Sequence, residues 1–306
     1  IKKSLPEYLA DEIDLSSVKD IKESGSNNEI TLSLNDGTYT TYTYSENVWY
    51  ESSSGIKFKD TAIEKQDNKA LEKEGYAYTV ADNDDSADFS TDSSKGIRVT
   101  NNGVTFTLAP ISTATGKSNG KIVKADGSDT FVYEDAYGAG TDLAFVPQLN
   151  GIKEEIILSE YNGCNSYKFN LEVNSGTPVI KDGCLCFKDN TTGAVVSKTE
   201  LPYAYDSKGN QTSDCSYTLC KSGKDIYILT LSVIYQWLKS KKTVYPVVID
   251  PTSVNAETQY DTTVYTSKMF NKNSSCGAND NEVGYRGLTY GYARSLVSVD
   301  IPSSVT

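Results

Sequence analysis

The carboxylates are the residues of this chain with the widest choice of chemistry. Glu154 and Glu155 adjoin in the run GIKEEIIL. Two carboxyl groups held a few ångströms apart can divide acid and base work on a glycosidic bond. In an extended strand, neighbours point to opposite faces, so only one of these two can face a given side. The spacing therefore favours a solvated strand face over an acid–base pair. Asp82, Asp84, Asp85 and Asp88 lie in ADNDDSADFSTDSS and offer hard oxygens for calcium. They lack the EF-hand spacing and its closing glutamate. A solvated acidic loop is favoured, with calcium as the alternative and no other cofactor expected. Asp206, in DSKGN, reads as a turn, because Lys208 puts a positive charge where a metal loop needs an oxygen.

Nucleophilic chemistry has little to work with. The chain contains no histidine, which excludes Ser-His-Asp and Cys-His arrangements and imidazole zinc ligation. Ser16-Ser17-Val18-Lys19 meets the bare Ser-x-x-Lys spacing, but in the stretch with the weakest structural signal. The six cysteines are Cys164, Cys184, Cys186, Cys215, Cys220 and Cys276. Cys184 and Cys186 share a strand face. Cys215 and Cys220 point to opposite faces of a regular strand and cannot bridge each other. Small buried thiols, one or two disulfides in an exported protein, or a zinc site remain open; the last lacks any C-x2-C pair. Trp49, Tyr50, Tyr203 and Tyr205 offer flat faces that stack on sugar rings, though such residues are first of all strand and interface residues. No catalytic residue is assigned.

The elements that would carry these groups are strands. The chain has 306 residues, with 22 tyrosines against 8 phenylalanines. Tyrosine, threonine, valine and isoleucine suit a pleated, half-wet surface. Alternating runs are punctuated by turn signals: Asn35-Asp36-Gly37, Ser52-Ser53-Ser54-Gly55, Asn101-Asn102-Gly103 and Asn150-Gly151. Residues 1–27 differ. Ser4 with Glu7 and Pro6 resembles a helix start, and Leu5, Leu9, Ile13 and Val18 form an apolar stripe. Gln236-Trp237-Leu238, followed by Lys239, Lys241 and Lys242, reads as one helical turn ending in a basic loop. The net charge of −12 argues against nucleic acid and against anionic membrane surfaces. No run of about 20 apolar residues exists to span a bilayer.

The order of several segments carries a resemblance. Asp142-Leu143, then Gly151–Glu154, then the proline–aromatic run Pro202–Gly209, then Tyr245–Pro251 (YPVVIDP) resembles the region preceding DNRLRE-type domains in large, wall-associated, Rhs-like surface proteins of Gram-positive bacteria. The tail, with DTTVYTSKMF, NEVGYRG and an Arg294-led strand ending at Pro302, is similar to the start of such a domain. The resemblance implies an exported, cell-surface module whose chain continues into further domains of the same polypeptide.

The expected fold is mainly β: antiparallel, sandwich-like domains in tandem, with a short N-terminal helix and a partial C-terminal β module. The expected boundaries are 1–27 for the helical segment, 28–125 and 126–252 for two β domains, and 253–306 for the partial module. The expected function is a non-catalytic, extracellular structural scaffold module of a large cell-surface protein, serving display or adhesion. The alternatives are a carbohydrate-binding module and a carboxylate-based glycosidase. The expected partners are further domains of the same chain and cell-wall or host glycans, without nucleic acid and without membrane insertion.

Overall fold

The computed structural model describes residues 15–22, 26–44, 46–53, 55–112, 118–125, 128–250, 260–265, 284–285 and 292–298. Of the helical segment expected over 1–27, residues 1–14 and 23–25 lie outside the described residues, and the expectation is corrected at Val18, which belongs to a strand and turns into a small β core rather than onto a helix stripe. Most of the rest is strand, as the alternation requires. In chain order the strands are β1 (Val18–Lys22), β2 (Glu29–Leu34), β3 (Tyr39–Thr43), β4 (Trp49–Ser52), β5 (Gly55–Phe58), β6 (Glu64–Lys65), β7 (Tyr76–Val80), β8 (Ser86–Ser90), β9 (Ile97–Asn101), β10 (Val104–Pro110), β11 (Gly120–Ala125) and β12 (Ser128–Tyr133). They continue with β13 (Thr141–Gln148), β14 (Gly151–Leu158), β15 (Ser166–Val173), β16 (Thr177–Lys181), β17 (Cys184–Lys188), β18 (Val195–Lys198), β19 (Tyr203–Asp206), β20 (Gln211–Thr212), β21 (Cys215–Lys221), β22 (Ile226–Val233) and β23 (Val247–Asp250). Two short helices, α1 (Lys69–Glu74) and α2 (Tyr235–Leu238), interrupt them.

Two large antiparallel sheets form the body. One has eight strands in the order β21-β22-β15-β10-β9-β8-β7-β6, the other seven in the order β11-β12-β13-β14-β23-β19-β20. Their inner faces share one core. Phe89 of the first packs against Phe131 of the second with ring centroids 5.0 Å apart. Tyr133 is buried and its hydroxyl lies 2.6 Å from the Ser90 carbonyl, so its polar end is satisfied across the layers. A three-stranded sheet, β16-β17-β18, is inserted between β15 and β19 and joins this core through Leu185 and Phe187. The β1-β2-β3 sheet and the β4-β5 hairpin hold a smaller core of Val18, Ile30, Leu32 and Val48.

The chain divides into two compact units, Ile1–Asn255 and Ala256–Thr306. The mainly antiparallel β class is as expected. Within the first unit, however, β10 pairs with β15 and β15 with β22. Strands from both sides of the expected 125/126 boundary therefore share one sheet. Hairpin signals are local, whereas the pairing that closes a sandwich links distant residues, so the strand texture alone carried no sign of it. The second unit contains a three-stranded sheet built from Tyr260–Tyr265, Tyr292–Ser298 and Gly284–Tyr285 in that spatial order.

One glycine shows how closely β10 approaches the turn that leads into β9. Gly96 has φ +65°, a conformation that L side chains seldom adopt. A Cβ there would collide with the Leu108 carbonyl and come within 2.6 Å of the Ala109 Cα. Both neighbours are backbone and cannot rotate away. Gly96→Ala is expected to lower stability by about 2 kcal/mol in urea titration. An unchanged midpoint would show that β10 yields freely at this turn.

Candidate functional site

Strand β14 carries the two groups of interest on its opposite faces. Ile156 and Leu158 must face the core, and period-two alternation carries Glu154 inward with them. Glu154 is 9% exposed, and its Oε1 has no hydrogen-bond partner among the described residues. It borders a cavity of about 60 Å³ that Asn101, Phe106, Phe187, Ser197 and Tyr217 also line. The Ser197 Oγ is likewise buried and without a partner among the described residues. Phe106 and Phe187 stack at 4.7 Å beside it, which fixes the three-stranded insert against the eight-stranded sheet. Burial, helped by the negative charge of Asp250, pushes the Glu154 carboxyl up to about 8. Such a group holds a proton at neutral pH and can give or take one nearby. The expected solvated glutamate face is therefore corrected at Glu154. The expectation counted the adjoining acids and did not extend the parity of Ile156 and Leu158 back to it.

The outer face is a closed ionic network. Lys153 Nζ lies 2.7 Å from Glu155 Oε1 and 2.8 Å from Asp250 Oδ2. Asp250 is fully buried, and the Tyr203 hydroxyl donates to its Oδ2 at 2.9 Å. Burial works against the Lys153 ammonium, but hydrogen bonds to Asp250 and Glu155 outweigh it and hold the lysine pKa above its ordinary value. Burial and Asp250 push the Tyr203 phenol up to about 12. Tyr203 and Tyr205 stand side by side, centroids 6.0 Å apart and 27° from parallel. Only β23, pairing with β14 and β19 at once, brings Asp250 to Lys153 and Tyr203.

The other sequence candidates are dispersed. Trp49 and Tyr50 belong to the β4-β5 hairpin: Trp49 packs on the small core and donates from Nε1 to the Glu29 carbonyl at 3.0 Å. The Trp49–Tyr50 and Tyr203–Tyr205 pairs are both half-buried, and they lie in different sheets. Asp82 pairs with Lys57 at 2.8 Å, and Asp84 pairs with Lys59. Burial, then the Asp84 charge, raises the Asp85 pKa. Asp88 is buried and takes Arg98 at 3.0 Å, Gln66 at 2.8 Å and Thr79 at 3.0 Å. The four aspartates thus turn to separate partners, and no group of three or more metal-ligating side chains converges among the described residues. Asp206 makes a turn: its carboxylate accepts from the N–H groups of Lys208, Asn210 and Val244.

Cys164, Cys184, Cys186, Cys215 and Cys220 are free thiols, and Cys276 lies outside the described residues. Burial raises the thiol pKa of Cys184 and Cys186 and pushes Cys215 up to about 12, which suppresses the thiolate needed for nucleophilic attack. No helix among the described residues is long and apolar enough to cross a membrane.

No family model matches the chain, and no solved structure resembles it. Curated proteins do. The chain is 30% identical over 255 residues to the tRNA nuclease WapA of Bacillus subtilis strain 168, covering 79% of this chain and 10% of that protein. It is 32% identical over 207 residues to the tRNA(Glu)-specific nuclease WapA of B. subtilis subsp. natto, covering 61% of this chain and 9% of the relative. It is 30% identical over 231 residues to the tRNA3(Ser)-specific nuclease WapA of Bacillus spizizenii, covering 71% and 9%. The chain spans about a tenth of the length of these relatives. These matches correct the resemblance to the region preceding and entering a DNRLRE-type domain in large wall-associated, Rhs-like surface proteins. They also overturn the non-catalytic scaffold or carbohydrate-binding function and the exclusion of nucleic acid, since the matched proteins are named as nucleases acting on tRNA. The absence of histidine and the net negative charge are properties of this chain alone. They do not bear on the nine-tenths of each relative that lies beyond the alignment.

Proposed function

We propose that this chain is a portion of a large polypeptide that cleaves tRNA. The observation that carries this is the identity of about a third of the residues over most of the chain with three tRNA nucleases. Two of those relatives are named for different tRNAs, yet they match this chain at 32% and 30%. That near-equality supports a choice of tRNA set outside the aligned residues. The Glu154 cavity, at about 60 Å³, has room for about two water molecules and not for a nucleotide. Glu154 is accordingly not offered as the group that meets the scissile phosphate. The strand-rich, tyrosine-heavy composition supports export of the polypeptide.

The test is the whole polypeptide, purified and incubated with bulk tRNA. Discrete tRNA fragments on a denaturing gel are the expected result, and its recovery from the culture medium supports export. Intact tRNA after incubation with folded, full-length polypeptide would overturn the nuclease assignment.

A further inference from the structure

Residues 234–245 collect groups that nothing above puts to use. The turn α2 leads into Lys239, Lys241 and Lys242, and the loop folds back on it. The Thr243 hydroxyl donates to the Trp237 carbonyl at 2.6 Å, and the Tyr245 hydroxyl donates to the Leu238 carbonyl at 2.8 Å. The lysines therefore extend from a fixed backbone. Lys239 Nζ lies 5.4 Å from the centre of the Tyr235 ring. Tyr235 in turn meets Tyr161 edge-on, at 5.9 Å and 74°. Tyr235 is 42% exposed and Ile234 37%. The turn at Asp206 brings in Lys208, because the neighbouring Ser207 N–H donates to the Val244 carbonyl at 3.0 Å. Lys208, Lys239, Lys241 and Lys242 are all exposed. Two exposed acids, Glu160 and Asp214, flank the patch: Glu160 adjoins Tyr161, and the Asp214 carbonyl accepts the Ile234 N–H at 2.9 Å.

We propose that this face binds single-stranded RNA, with the lysines on phosphates and the Tyr235–Tyr161 pair as a platform for a base. The proposal rests on the nuclease assignment and adds a contact surface on this chain. Its warrant is charge complementarity combined with the exposed Tyr235 ring, backed by the half-buried Tyr161. Lysines alone attract any polyanion, whereas a ring beside them adds about 1–3 kcal/mol per stacked base. The chain's overall charge of −12 opposes binding at long range. At about 0.1 M salt, charges beyond about 10 Å are screened, so the local cluster governs contact.

Fluorescence anisotropy of a labelled RNA of about 12 nucleotides, with the 306-residue chain, tests this directly. Inorganic polyphosphate and anionic vesicles serve as base-free competitors. Binding should weaken with salt on a log–log slope of about 2–3, as expected for three or four phosphate contacts on a single strand. The triple variant Lys239→Glu, Lys241→Glu, Lys242→Glu should lose at least about tenfold in affinity. Tyr235→Ala should lose about tenfold for RNA while leaving polyphosphate binding unchanged. Circular dichroism melting confirms that each variant is folded. RNA binding indifferent to the lysine reversals, or equal displacement by polyphosphate or vesicles with no effect of Tyr235→Ala, would overturn the proposal. So would no binding at low salt. If the whole polypeptide cleaves tRNA and this chain does not bind RNA, the patch fails and the nuclease assignment stands. If the chain binds RNA and the polypeptide does not cut, the patch stands and the nuclease assignment fails.

Discussion

Glu154→Gln should make the protein more stable above pH 8, by about 3–5 kcal/mol, and leave it nearly unchanged at pH 5. An unperturbed glutamate ionises near 4.5, whereas this one keeps its proton until about 8. Between those values the folded chain binds more protons than the unfolded chain. Stability therefore falls as pH rises through that window and levels off above it. Glutamine fills the same volume and never ionises, so the variant should show a flatter profile. Denaturant titrations at pH 5, 7 and 9 measure it. Parallel profiles for the two proteins would mean that water already reaches the carboxylate.

Lys153→Ala should destabilise the chain by about 3 kcal/mol at neutral pH. The loss is not that of a surface ion pair, which is commonly worth less than about 1 kcal/mol. Asp250 is fully buried and would lose the ammonium that now lies 2.8 Å from its Oδ2. Removing the Lys153 ammonium should also push the Glu154 carboxyl higher, because the Asp250 negative charge already contributes to that shift. Pairing Lys153→Met with Asp250→Leu should recover most of the lost stability. Thermal melts of the single and double variants separate the two cases. If the double variant is as unstable as Lys153→Ala, the lysine matters for packing and not for charge.

The local grammar of the fold was legible. The turns at Asn35-Asp36-Gly37, Asn101-Asn102-Gly103 and Asn150-Gly151 join β2 to β3, β9 to β10 and β13 to β14. Asn102 and Gly103 have φ +47° and +79°, which is why those residue types occur there. The inward direction of Glu154 was also available, from the parity of Ile156 and Leu158. The partners of the acids were not. Asp88 finds Arg98 because β8 pairs with β9 in one particular register, and Asp250 finds Lys153 only across paired strands far apart in sequence. Register of that kind is set by whole-sheet packing rather than by neighbouring residues. Reading the four acids as one solvated loop therefore missed that Asp88 is buried and paired with Arg98.

Strand β23 is the last of its sheet in the chain and yet lies in the interior, with β14 on one side and β19 on the other. A nascent chain that has not reached Val247 cannot close this layer. Until then β14 and β19 each present a row of bare amide and carbonyl groups, the kind of margin that invites stray pairing between molecules. Maturation of the body is thus tied to completion of almost the whole unit. Any product halted earlier would stay open along the seam that β23 is there to fill.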